Sequence, residues 1–300
     1  MFIRTFGIAL LHLIPFLFAS CVSIRDVTTV GTPVAKVRIE TSAPVKVSKS
    51  ATSASHFICW NVHKAGHEDF ERDMNALVAA IPAGDDVILC LQEARGSTYG
   101  RIRTLFGRDF RGHYAPSWKL PLSKGSTGVM TLGTGSIGRA TKLTSPRREL
   151  YIGSPKVSLA TETPLADGRT LQVLNCHGLN FVPLSVFPRQ LDGIFASLDP
   201  RGGPAIVCGD FNVWSQARLD HLNRKALEAG LIEAPLTGPG HSPAPKWLRG
   251  LKRINGFDPG LRLDRIYTRG IEVLDCSCQP DLRSSDHLPL ILRYKILPAS

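Results

Sequence analysis

Four apolar runs in this chain end on polar side chains instead of fading into turns. "ICWNVHK" reaches Asn61, "LCLQEAR" reaches Gln92 and Glu93, "VLNCHGLN" reaches Asn175 and His177, and "IVCGDFNVW" reaches Asp210 and Asn212. Two further segments place polar residues against apolar strands: "LDRIY" begins with Asp264 in its second position, and "SSDHLPLIL" sets Asp286 and His287 before the last strand. Short apolar runs bounded in this way read as strands buried on both faces. Polar residues on a solvated surface would scatter, whereas these gather at the borders of six strands, so they converge on one cleft. Strict alternation along "CGDFN" sets Asp210 and Asn212 on the same side of their strand.

The remaining pattern supplies the layers. Strands are predicted at "HFICWNV", "DVILCLQE", "TGVMTLGT", "KVSLATETPL", "RTLQVLNCH", "PAIVCGDF", "LDRIYTR" and "LPLILRYKI". Between the first two, "EDFERDMNALVAAI" aligns Phe70, Met74, Leu77, Val78 and Ile81 on one helical face. Further helices are predicted at "LSVFPRQLDGIFASL" and at "SQARLDHLNRKALEAG", the second closed by Gly230. Many strands with a few amphipathic helices predict a sheet-on-sheet core with helices outside.

The N-terminus reads as a targeting segment. In "MFIRTFGIALLHLIPFLFASC" a single early charge, Arg4, precedes an apolar run from Phe6 to Phe18 and small residues before Cys21. That is the form of a secretory signal, and the run is short for a spanning helix. "FASC" also resembles a bacterial lipobox, with Phe18 where Leu is usual, which predicts lipid attachment at Cys21. Residues 1–21 are therefore expected to be a signal peptide, residues 22–55, rich in Ser, Thr, Val, Pro and Lys, a flexible tether, and residues 56–297 the folded domain. The expected location is outside the cytoplasm of a bacterium, anchored to a membrane or free in the periplasm or medium, with the protein monomeric.

Cys59, Cys90, Cys176 and Cys208 sit inside strand-like runs and read as small buried hydrophobes. Cys276 and Cys278 in "DCSC" have neither the spacing nor the partner pair of a zinc site. Thirty-six Lys and Arg against 25 Asp and Glu give a formal charge of +11, which favours anionic partners without choosing among them.

The cleft's residue types define its chemistry. Glu93 with an Asp offers hard oxygen ligands suited to Mg²⁺ or Mn²⁺. Two His and an Asn supply donors to a negative centre, and a further carboxylate is free to orient or deprotonate water. This set points to metal-assisted hydrolysis of a phosphodiester or phosphomonoester.

The motifs "WNVHK", "TGVMTL", "HGLNF", "GDFNVWS" and "SDHLPL", in that order between Cys59 and Leu292, resemble the endonuclease/exonuclease/phosphatase (DNase I-like) superfamily, and within it a bacterial branch of YafD-type proteins. The resemblance implies an α/β fold, a four-layer αββα sandwich with two packed mixed sheets, helices outside and the site at one rim. It implies that Glu93 binds the divalent metal with help from Asn61 and Asp286. Asp210 would activate the attacking water, Asn212 would hold the scissile phosphate, and His177 would contact a phosphate oxygen. His287 would stabilise the pentacovalent phosphate, with Asp264 fixing its tautomer. AP endonucleases usually carry Asp two residues after the first-motif Asn, where this chain has His63, and that departure weakens a DNA-repair reading.

The expected function is a metal-dependent phosphodiester hydrolase, an exported nuclease above all. Between the fourth and fifth clusters, Lys246, Trp247, Arg249, Lys252 and Arg253 interleave an aromatic with cations, which suits a nucleic-acid backbone and a stacked base and equally a solvated basic loop. The alternatives are a sphingomyelinase-like phospholipid hydrolase or an inositol or small-phosphoester phosphatase, and, from another class, a catalytically silent lipoprotein that binds nucleic acid or membrane.

Overall fold

The computed structural model describes residues 54–103, 108–119, 126–149, 155–180, 182–238, 258 and 260–299. The signal peptide with Cys21, nearly all of the expected tether, and the basic loop with Lys246, Trp247, Arg249, Lys252 and Arg253 lie outside these residues.

In chain order the strands are β1 (Ser55–Asn61), β2 (Asp86–Arg95), β3 (Arg111–Lys119), β4 (Ser126–Gly133), β5 (Ala140–Arg148), β6 (Pro155–Pro164), β7 (Thr170–His177), β8 (Ala205–Asp210), β9 (Ile232–Glu233), β10 (Asp264–Arg269), β11 (Ile271–Cys278) and β12 (Leu290–Ile296). The α-helices are α1 (Phe70–Ala79), α2 (Thr98–Arg103), α3 (Phe187–Phe195) and α4 (Gln216–Glu228). One sheet runs β11-β12-β1-β2-β4-β3, the other β5-β6-β7-β8-β10-β9. Each is built around one parallel pair, β1–β2 and β7–β8, with antiparallel neighbours on either side. Parallel neighbours need a crossover, and α1 and α3 supply the two crossovers. The sheets therefore repeat one arrangement, and both parallel pairs end at carboxyl termini that carry polar residues.

Alternation assigns each strand residue to a layer. Phe57, Cys59, Ile88, Cys90, Val173, Ile206, Cys208, Ile266 and Leu292 fill the space between the sheets. Ile58, Trp60, Val87, Leu89 and Leu91 face the other way, onto Phe70, Met74, Leu77 and Val78 of α1. Leu174, Cys176, Val207 and Tyr267 pack against Phe187, Leu191 and Ile194 of α3 and Leu222 of α4. This is the expected four-layer sandwich with helices outside. Each large apolar side chain so buried contributes about 1.5–3 kcal/mol, and a one-residue slip would turn every one to the wrong layer, so the register is firmly set.

The local signals act as expected at several ends. Ser215 caps α4 by accepting from the Arg218 N–H. Gly230 takes φ +70°, and the Leu231 N–H reaches back to the Ala226 carbonyl at 2.8 Å, a left-handed closure that suits glycine. All six described cysteines are buried free thiols. Cys276 and Cys278 alternate on β11 and face the inter-sheet core. Strands β3, β5, β9 and β11 and helix α2 have no counterpart in the sequence expectation.

Candidate active site at the rim of the sandwich

The column of residues that faces the second sheet changes character at the strand ends. On β1 it runs Phe57, Cys59, Asn61; on β2, Ile88, Cys90, Gln92; on β7, Val173, Asn175, His177; on β8, Ile206, Cys208, Asp210. Buried polar groups need partners. Gln92 Nε2 donates to Asn175 Oδ1 at 2.7 Å, and Asn175 Nδ2 donates to the Met130 carbonyl at 2.9 Å. That pair ties the two sheets together beneath the cleft, so Gln92 and Asn175 are its floor.

Glu93 departs from alternation. The ladder between β2 and β4 gains a residue between Leu91 and Ala94, and Glu93 sits in that bulge at φ +52°. Leu91 and Ala94 both stay on the helix side, which frees Glu93 to leave it. A left-handed non-glycine residue costs about 1–3 kcal/mol and is typical of functional sites.

The end of β8 is crowded by design. A Cβ on Gly209, at φ +140°, would stand 1.9 Å from the Cys176 carbonyl oxygen, and one on Gly178 would stand 2.3 Å from that of Phe211. These glycines let the ends of β7 and β8 close upon each other. The expected alternation of Asp210 and Asn212 is corrected here: the strand stops at Asp210, and Asn212 adopts φ +53°. The two meet because the Asn212 N–H donates to Asp210 Oδ1 at 3.0 Å, while Asn212 Nδ2 donates to the Gly178 carbonyl at 2.9 Å.

Asp210 is the centre of the cluster. Its side chain is 3% exposed. Oδ2 accepts from Asn61 Nδ2 at 3.1 Å and lies 3.7 Å from His177 Nε2 and 3.8 Å from His287 Nε2. Burial pushes its carboxyl up to about 6, against the pull of His287. His287 Nδ1 bonds Asp264 Oδ2 at 2.6 Å. Burial disfavours the charged ring, but the carboxylates of Asp264 and Asp210 outweigh it and raise its pKa to about 10. His177 goes the other way: burial, then Lys156 and His287, hold it well below the ordinary imidazole value. Two histidines flank one carboxylate, one charged and one neutral.

The His287 loop is fixed from three sides. Ser285 Oγ donates to the Asn61 carbonyl at 2.6 Å, Trp60 Nε1 donates to the His287 carbonyl at 2.9 Å, and Asp73 Oδ2 of α1 accepts the Arg283 and Ser284 N–H groups at 3.0 and 2.9 Å. Arg218, fully buried, donates to the carbonyls of Leu179, Asn180, Val182 and Asn212 and stacks on Trp214 and Phe187. It binds the loops after β7 and β8 into one body.

Three ligand groups meet among the described residues: Asp210, Asp264 and His287 bring their nearest ligand atoms within 4.8 Å of one another. A charged imidazole has no lone pair to offer a cation, so this trio presents two carboxylates and an N–H donor to the cleft. Glu93 fits a hard cation better. Its side chain is 26% exposed and, among the described residues, accepts no hydrogen bond, with His177 Nε2 as its near neighbour at 3.9 Å. An anionic oxygen pair half removed from water and without donors is the donor set that Mg²⁺ or Mn²⁺ takes. Asn61 lies on the same rim, with its Oδ1 accepting from the His63 N–H at 3.1 Å. Asp286 is largely exposed, 3.8 Å from His63 Nδ1.

The structure thus brings Asn61, His177, Asp210, Asn212, Asp264 and His287 together, with Glu93 beside His177 and Asp286 further out. Lys156 and Glu149 belong to the same neighbourhood and escaped the sequence reading. Lys156 Nζ lies 3.1 Å from His177 Nε2 and 3.7 Å from Glu149 Oε2. The only local signal is a lysine opening the apolar run "KVSLA".

Comparison with known proteins agrees with this arrangement. The model of the endonuclease/exonuclease/phosphatase family matches residues 58–287. UPF0294 protein VV2535 of Vibrio vulnificus (strain YJ016) is 31% identical over 242 residues, which cover 80% of this chain and 77% of that protein. Among solved structures, the Bacteroides thetaiotaomicron VPI-5482 mannosyl-6-phosphatase Bt3783 superposes with TM-score 0.54 at 16% identity, covering 80% of this chain and 99% of that one. The D. rerio TDP2 complexed with single strand DNA product superposes with TM-score 0.55 at 15% identity, covering 81% and 99%. Such identities establish a shared fold.

Proposed function

For a chain that belongs to the endonuclease/exonuclease/phosphatase family, we propose the hydrolysis of phosphoesters with the assistance of a divalent cation, and nucleic-acid phosphodiesters as the substrate. The observation that carries this reading is Asp210: a buried carboxylate with its pKa near 6, oriented by Asn61 and the Asn212 N–H, between a neutral and a charged imidazole.

Near neutral pH such a carboxylate is ionised and basic enough to take a proton from water as that water attacks phosphorus. His287, charged through Asp264, holds positive charge beside it and stabilises the extra negative charge of the five-coordinate phosphate. Asn212 orients the phosphate. Glu93, with Asn61 and Asp286, would hold Mg²⁺ or Mn²⁺, which supplies Lewis-acid polarisation of phosphate oxygens. The net charge of +11 and the cations Arg249 and Arg253 are compatible with a polyanionic substrate. The same reading puts the protein outside the cytoplasm, tethered by a lipid on Cys21.

The test is hydrolysis by the purified full-length protein of single-stranded DNA, duplex DNA, RNA, sphingomyelin, inositol phosphates and sugar phosphates, with Mg²⁺ or Mn²⁺ and with EDTA. Cleavage of a nucleic acid that EDTA abolishes supports the proposal. Turnover of a lipid or a phosphomonoester alone keeps the mechanism and replaces the substrate, and silence on the whole panel refutes both. For the anchor, Cys21→Ser should move the protein from the membrane to the soluble fraction; unchanged fractionation rejects it.

A further inference from the structure

Lys156 and Glu149 are a nearly buried ion pair inside the cleft with no role in the reaction as derived above. Their side chains are 14% and 12% exposed. Glu149 is itself fixed, because its Oε1 accepts the Asn180 N–H at 2.7 Å in the loop after β7. Its Oε2 faces Lys156 Nζ at 3.7 Å. The ammonium in turn stands 3.1 Å from His177 Nε2.

An ammonium carries three donors and no acceptor. A hydrogen bond between Lys156 Nζ and His177 Nε2 therefore requires the lone pair on Nε2 and the ring proton on Nδ1. The two anionic neighbours of Nε2, Glu93 Oε1 at 3.9 Å and Asp210 Oδ2 at 3.7 Å, stand beyond hydrogen-bonding distance. In the absence of Lys156 these carboxylates would select the opposite tautomer, with the proton on Nε2 facing them.

We propose that Lys156, held in place by Glu149, fixes His177 as the Nδ1-protonated tautomer, so that Nε2 meets the cleft as an acceptor and Lys156, not His177, supplies the hydrogen bond to the phosphate. The proposal rests on the phosphoesterase reading for its second half and on geometry alone for its first. It reassigns a role: a histidine whose Nε2 accepts cannot donate to a phosphate oxygen from that atom, whereas Lys156 retains two further N–H groups. It also gives Glu149 a function, since a lysine without that tether would lose rotamer freedom each time it engaged the ring.

The experiment is nitrogen NMR of the imidazoles in the full-length protein labelled at histidine, with the His177 signals identified by their loss in His177→Gln. In the wild type at pH 7, Nε2 should resonate as an unprotonated nitrogen and Nδ1 as a protonated one. Lys156→Met should shift His177 toward the Nε2-protonated form, while Lys156→Arg, which keeps the donor, should hold the wild-type tautomer. A protonated Nε2 in the wild type, or an unchanged spectrum in a folded Lys156→Met, overturns the proposal. Turnover is read separately: Lys156→Met should lower kcat/KM about 10- to 100-fold, as expected for a lost charged hydrogen bond, and Lys156→Arg should recover most of it. Turnover unchanged in Lys156→Met removes the phosphate role. If the wild type cleaves no phosphoester, the phosphoesterase reading fails while the tautomer result stands on the spectra.

Discussion

Asp210 and Asp264 are direct partners in the antiparallel β8–β10 ladder, and His287 sits against both carboxylates, 2.6 Å from Asp264 and 3.8 Å from Asp210. Two like charges on one rung repel. The imidazolium offsets this and gives the two acids separate partners: Asp264 bonds the ring at Nδ1, and Asp210 accepts from Asn61 Nδ2 and the Asn212 N–H.

Asp264→Asn tests that division. The amide carries no charge, so His287 loses the carboxylate that keeps its ring protonated. Turnover should fall about 10- to 100-fold, the usual cost of removing the group that orients a working histidine, with the melting temperature little changed. A folded variant with wild-type kcat would show that the pair is only structural.

Asp73 controls the loop that carries His287. Burial opposes its charge, but the Arg72 guanidinium and the N–H groups of Arg283 and Ser284 prevail and lower its pKa below 3.8. For a carboxyl depressed in the folded state, the stabilisation is complete above the unfolded value and disappears as the pH falls through the folded one. Asp73→Asn should therefore cost about 1–3 kcal/mol at neutral pH, and its stability should fall less than the wild type's below pH 3.8. Urea titrations at several pH values measure both, and parallel acid losses in the two proteins would contradict the assignment.

Gly209→Ala probes the closure of β7 upon β8. Its Cβ would stand 1.9 Å from the Cys176 carbonyl at a backbone angle of +140°, and both partners are backbone in central strands. Overpacking and strain together should cost about 3 kcal/mol or more, read as a fall in the urea midpoint. A variant of wild-type stability would show that β7 and β8 separate freely at this point.

Metal binding is read without turnover. Saturating Mg²⁺ or Mn²⁺ should raise the melting temperature, by the equivalent of about 2.7 kcal/mol at a hundred times its Kd, and EDTA should reverse the shift. Glu93→Gln removes one charged ligand and should abolish most of it. An equal shift in that variant would move the cation elsewhere.

Local periodicity accounts for what could be read from the chain. Runs such as Phe57, Cys59, Asn61 and Ile206, Cys208, Asp210 place their polar members by a period of two, which any fold respecting those strands must honour. Asn61, His177, Asp210 and Asp264 converge as that period implies, and Asn212 and His287 join them from turns outside the strands. Strands β5 and β11 stayed hidden because their alternation is weak: "ATKLTSPRR" buries only Leu143, and "IEVLDCSC" draws attention to its cysteines.

The sequence by itself determined eight of the twelve described strands, the three helices α1, α3 and α4, and the polar ends that border the strands. The tertiary structure decided the chemistry each polar end can perform. The bulge at Glu93 and the left-handed turn at Asn212 break the period that revealed their neighbours. Asp73 reaches the Arg283 N–H across 210 positions, and Lys156 reaches His177 across 21. A hydrogen bond depends on distance in space, and a chain's pattern records only distance along itself. Burial and charge follow from the same packing, which is why two histidines of one residue type stand in one cleft with their pKa values moved in opposite directions.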